Sequence, residues 1–112
     1  MRRLILRAGL ALGPGGVYVA IGSHCDQNAG HINGWMLRYS PGLELQGAFN
    51  TIETPAGLEL ASFWSSGFAP AVDTDGTLFA ITGNGNFSKG GKDWGESVLR
   101  LPANVKKVQD FF

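Results

Sequence analysis

The chain has 112 residues, 44% of them hydrophobic and 16% charged, with nine basic residues against nine acidic ones. No cluster of Lys or Arg exceeds Arg2-Arg3 and Lys106-Lys107, which excludes the electrostatic footprint of a nucleic-acid binder, and the low charge disfavours disorder. Seventeen glycines and five prolines, set between short β-branched or aromatic runs, exclude a helical chain and favour an all-β one with many turns.

In chain order, residues 1–12 have a basic head and an apolar stretch. Arg7 interrupts that stretch and no small-x-small cleavage pattern follows, so a signal peptide is not expected. No run reaches the roughly 18 apolar residues needed to span a bilayer. Gly13-Pro14-Gly15-Gly16 reads as a hairpin turn and residues 17–21 as the strand after it. Cys25, the single cysteine, has no partner for an internal disulfide. Further strands are expected at 34–39 and 45–50. A second hairpin turn, Asp73-Thr74-Asp75-Gly76, precedes strands at 77–82, 97–101 and 105–111. Residues 17–21 and 77–82 are apolar at nearly every position, so both of their faces are expected to be buried.

The two halves repeat each other at a spacing of about 60 positions. Ala11, Gly16, Ala20 and Ile21 recur as Ala71, Gly76, Ala80 and Ile81; Leu37-Arg38 recurs as Leu99-Arg100, and Phe49 as Phe111. Each copy reads as four short antiparallel strands, the blade of a β-propeller, with the first repeat at about 8–55 and the second at about 68–112 of one unit, 1–112. Two blades cannot close a ring of roughly four to eight, so the expected fold is an incomplete propeller. Its partners are then the remaining blades of a longer chain or other copies of itself.

The motifs Tyr18-Val19-Ala20-Ile21-Gly22-Ser23-His24-Cys25-Asp26, Gly34-Trp35-Met36-Leu37, Ala69-Pro70-Ala71-Val72-Asp73, Thr82-Gly83-Asn84-Gly85 and Asp93-Trp94-Gly95-Glu96-Ser97-Val98-Leu99 follow one another in order. Together, over about residues 7–102, they resemble bacterial proteins with pyrroloquinoline quinone-like propeller repeats, distant relatives of the quinoprotein alcohol dehydrogenases. The resemblance implies a periplasmic or extracellular protein, with pyrroloquinoline quinone and calcium as candidate cofactors. It makes Asn84 a candidate calcium ligand, a sensible donor because calcium takes amide and carboxylate oxygens. Asp26 is the acid nearest to the place of a second ligand, and His24 lies opposite Asn84 on the equivalent loop. Trp64, in Ser62-Phe63-Trp64-Ser65-Ser66-Gly67-Phe68, corresponds to a tryptophan that points to the propeller centre and is the candidate quinone contact. Against the family pattern, Ser40 stands at the place of a docking aspartate and Phe49 near that of a closing tryptophan, and no catalytic aspartate is identifiable.

The alternative readings of these residues are structural. Thr82-Gly83-Asn84-Gly85 also reads as a plain turn built on residues that accept positive φ. His24, Cys25, Asp26 and His31 match no established zinc spacing, and Cys25 with His31 lacks an orienting third group for nucleophilic catalysis. Trp35 and Trp94 read as packing residues. Asp73-Thr74-Asp75-Gly76 lacks the later acid of a calcium loop. The expected function is a ligand-binding or scaffold module without complete catalytic machinery. The alternatives are part of a quinone- and calcium-dependent alcohol or sugar dehydrogenase, and a protein-interaction propeller of the cell envelope.

Overall fold

The structure is a computed structural model that describes residues 4–23, 33–54 and 60–112. The described residues form strands and turns and no helix. The strands are β1 (Leu4–Ile5), β2 (Ala11–Gly13), β3 (Gly16–Ser23), β4 (Trp35–Tyr39), β5 (Leu45–Asn50), β6 (Ala71–Val72), β7 (Leu78–Ile81), β8 (Val98–Leu101) and β9 (Asp110–Phe111). They make two antiparallel sheets. In the first, β3, β4 and β5 lie side by side, and β1 and β2 share the free edge of β3; the second runs β6-β7-β8-β9.

Most of the expected strands are present with small changes at their ends, and 45–50 is matched at both. The strand expected at 105–111 shrinks to Asp110–Phe111. Its first part is taken by a turn in which the Val105 N–H donates to the Pro102 carbonyl (2.8 Å) with Val105 at φ +50°. Both hairpin turns form where Gly and Asp predicted them. Gly15 and Gly76 take positive φ, and the Asp75 carboxylate accepts the Thr77 N–H at 2.8 Å.

The sheets pack face to face. Tyr18, Ala20, Met36 and Phe49 of the first meet Leu78, Ala80, Leu99 and Leu101 of the second in one apolar core, joined by Phe63, Trp94 and Val105. The Tyr18 hydroxyl crosses the seam to donate to the Ala103 carbonyl at 3.0 Å. Close approach of the two layers is visible at Gly47, where a Cβ would run into the Asn104 carbonyl oxygen and lie 2.9 Å from a Val105 methyl. The layers are also tied by main chain, with the Trp94 N–H donating to the Thr51 carbonyl and the Glu53 N–H to the Lys92 carbonyl, each at 2.9 Å.

The expectation that both faces of 17–21 and 77–82 are buried does not hold, because the described chain covers only one face of each sheet. On the other side of the second sheet, Phe79, Ile81, Val98 and Phe112 are exposed. On that of the first, Val17, Val19, Trp35 and Leu37 are half-buried.

Pairing also fixes how the two halves correspond. The turn Ser40-Pro41-Gly42-Leu43 matches Pro102-Ala103-Asn104-Val105. In each the fourth N–H donates to the first carbonyl (2.9 and 2.8 Å), and the fourth residue has positive φ (65° and 50°). This supports pairing Arg38 with Arg100, as the repeat suggested. Arg38 lies opposite Tyr18, however, and Arg100 lies opposite Phe79, so Tyr18 corresponds to Phe79 and not to Leu78. By the same registers Ala20 corresponds to Ile81 and Met36 to Val98, while Phe49 corresponds to Phe112, whose N–H and C=O pair with Val98. The slip arises in the hairpin turn. Two residues separate the paired Gly13 and Gly16, whereas three lie between Asp73 and Thr77, joined by the Asp73 N–H to Thr77 carbonyl bond. Since strand side chains alternate, one residue reverses the face. Corresponding residues therefore lie on opposite sides of the stack: Tyr18 faces the second sheet and Phe79 faces away from the first.

Candidate functional site

Residues 82–85 lie between two neighbouring segments, and glycine permits this. The Ala61 N–H donates to the Asn84 carbonyl (2.8 Å), the Gly83 N–H to the Ser62 carbonyl (2.9 Å) and the Glu96 N–H to the Gly83 carbonyl (2.8 Å). A Cβ on Gly85 would lie 2.5 Å from the Ala61 nitrogen, and one on Gly83 would lie 2.5 Å from the Trp64 Nε1. Neither glycine nor Asn84 has positive φ. Thr82-Gly83-Asn84-Gly85 is thus not a left-handed turn; its glycines serve close approach. Thr82 anchors the start of the loop, its buried hydroxyl donating to the Trp94 carbonyl (2.5 Å) and accepting the Ser97 N–H (2.9 Å).

Trp64 rests on this backbone, its indole against Gly83. The Arg7 guanidinium carbon stands 5.3 Å from the ring centroid, a cation–π contact of roughly 0.5–1 kcal/mol at a partly exposed site. The turn that carries Trp64 is closed by its own backbone and fastened to residues 7–9. The Phe68 N–H donates to the Ser65 carbonyl (2.7 Å), the Gly67 N–H to the Arg7 carbonyl (2.9 Å) and the Gly9 N–H to the Phe68 carbonyl (3.1 Å). Trp64, Phe68, Pro70, Phe79, Ile81 and Val98 line a groove of about 550 Å³ along the uncovered face of the second sheet.

Of the residues singled out in the sequence, Trp64 and Asn84 are brought together through Gly83, with the Asn84 side chain exposed. His24, Cys25, Asp26 and His31 lie outside the described residues. The three tryptophans do not form one stacking set. Trp94 is in the core, edge-on to Phe111 at 5.0 Å, and Trp35 lies on the outer face of the first sheet. Ser40 has become a turn cap, its hydroxyl accepting the Glu44 N–H at 3.1 Å.

Three residues with a part in this region had no role assigned from the sequence. In the sequence Arg7 signals only a break in an apolar run. Glu96 holds positive φ (51°) with its amide on Gly83; the Glu-Ser pair in the last motif was its only signal. Asp93 is buried, and its Oδ1 accepts the Glu53 and Thr54 N–H groups (3.2 and 3.0 Å), so it fastens the first sheet to the second.

A calcium ion takes six to eight oxygen ligands. Among the described residues no group of three or more His, Cys, Asp or Glu side chains converges, and the Asp93 Oδ1 is engaged with backbone. The described residues thus present no carboxylate cluster beside Asn84. What they do present is an indole and apolar side chains in a groove, which suits burial of a flat apolar surface. No helix among them is long and apolar enough to cross a membrane. No protein-family model, curated protein or solved structure matches the chain.

Proposed function

We propose that this chain supplies two neighbouring blades of a β-propeller of the pyrroloquinoline quinone-repeat kind and acts as a scaffold or ligand-binding module without a complete catalytic set. One observation carries this: the two sheets stack through non-corresponding faces, Tyr18 inward and Phe79 outward. That is the relation a rotation about a central axis gives successive blades, whereas a sandwich closed on itself about a twofold buries corresponding faces of its two halves. The apolar faces left over on both sides are what a third and a further blade cover.

Quinone, calcium and a periplasmic or extracellular setting enter through the resemblance of the motifs. In this chain Trp64 offers a ring and Asn84 an exposed amide to such a ligand, and dehydrogenase chemistry calls for oxygen ligands and a base beyond these.

The test is a tandem chain carrying two copies in one polypeptide. Stacked blades gain a nearest-neighbour interface with each unit added. The tandem chain is expected to unfold at a clearly higher urea midpoint and with a steeper transition than the single chain. Identical midpoints and slopes would show two self-contained units and contradict the blade assignment.

A further inference from the structure

The uncovered face of the second sheet has a covered counterpart in the same chain. Phe79, Ile81, Val98, Arg100 and Phe112 correspond to Tyr18, Ala20, Met36, Arg38 and Phe49. The types agree closely: aromatic for aromatic at the first and last, apolar for apolar between them, and Arg for Arg. Yet Phe49 is 5% exposed and Phe112 is 85% exposed, and Ile81 is 65% exposed where Ala20 is fully buried. What covers the first set is the inner face of the second sheet, Leu78, Ala80, Leu99 and Leu101 with Val105. The counterparts of these are Val17, Val19, Leu37, Tyr39 and Leu43, on the outer face of the first sheet.

We infer that the outer face of the second sheet docks the outer face of the first sheet of another copy of this chain, repeating head to tail the packing already present between its own two sheets. The inference rests on the blade assignment and adds the partner and the contacting residues. Within the chain, Gly47 lies against Val105. Gly47 sits opposite Arg38, and Asp110 sits opposite Arg100, so the counterpart of Gly47 is Asp110 and that of Val105 is Leu43. Asp110 of one copy therefore meets Leu43 of the next. The two patches differ, so the contact is heterologous: it generates a ring where the rotation closes, and it does not pair a patch with itself.

The experiment uses the whole chain with Cys25→Ser as background and two single-cysteine variants, Asp110→Cys and Leu43→Cys, both at exposed positions. Mixed and treated with a short bis-maleimide, they are expected to form a mixed cross-linked pair, several-fold above the homodimer from either variant alone. Ile81→Lys, placed on the exposed face, is expected to weaken association roughly a hundredfold through an unpaired charge in an apolar contact. Hydrogen exchange of the β3, β4, β7 and β8 amides in that variant reads whether the fold is kept. A folded monomer with no mixed cross-link overturns the inference, as does cross-linking of Asp110→Cys with itself, the mark of a symmetric dimer. If the tandem chain is nevertheless stabilised, the blade assignment stands and only the docking between separate copies fails. If neither occurs, both fail.

Discussion

Leu43 and Val105 occupy the same place in two copies of one turn, each with positive φ and each donating its N–H to the carbonyl three residues earlier, yet Val105 is fully buried and Leu43 is 76% exposed. The local backbone is the same and only the neighbouring layer differs. Val105→Ala is expected to lower stability by about 2 kcal/mol, the loss for a fully buried valine side chain. Leu43→Ala is expected to change it by under ~0.5 kcal/mol in dilute solution, where no second layer is present. Urea unfolding of both variants at the same low concentration checks the contrast.

The Tyr18 hydroxyl donates to the Ala103 carbonyl across the seam between the two strand layers, joining positions 85 apart in the sequence. Tyr18→Phe keeps the ring and removes the bond. It is expected to cost about 1 kcal/mol and to leave the Ala103 carbonyl to water. A loss well above 3 kcal/mol in chemical denaturation would show that the ring itself had moved.

Gly83 is held by contact and not by φ. Gly83→Ala places a methyl group where the Trp64 indole lies, and the expected cost is about 1–3 kcal/mol with displacement of the ring. The displaced indole is read as a red shift in tryptophan emission. In a Trp64→Phe background the shift should vanish, since Trp35 and Trp94 lie elsewhere.

Asp75 supplies the pH dependence of the second hairpin. Its bond from the Thr77 N–H holds its carboxyl below the usual value of 3.8. A carboxyl lowered in the folded state stabilises fully above the unfolded value, and that contribution disappears as the pH falls through the folded one. Asp75→Ala should therefore be less stable than the parent chain near neutral pH. The gap should narrow below about pH 3.8 as the parent chain's Asp75 carboxylate is protonated and its bond from Thr77 weakens. A gap that is constant down to strong acid would remove the carboxylate from the account.

Much of the fold is written locally. The two hairpin turns follow from Gly and Asp, and the strand at 45–50 from the four-strand reading of each repeat. The faces were less legible. Matching Ala20-Ile21 to Ala80-Ile81 by identity aligned residues that the register separates by one, because a two-residue turn precedes the first pair and a three-residue turn the second. In a strand such a slip exchanges inside for outside. The pairing of β1 with the end of β3 is hidden in an apolar stretch that follows a basic head and carries no strand signal of its own. At the candidate site, Trp64 and Asn84 were visible as types, but their meeting at Gly83 depends on backbone bonds from 61 and 62 that carry no side-chain signature.

The most direct measurement of the central claim, that corresponding residues face opposite ways, is proton–proton nuclear Overhauser contact in dilute solution. The Tyr18 ring is expected to show contacts to the Val72 methyls and to Ala103, and the Phe79 ring none to any residue of β2–β5. Contacts from the Phe79 ring to the first sheet, with the Tyr18 ring open to solvent, would contradict it.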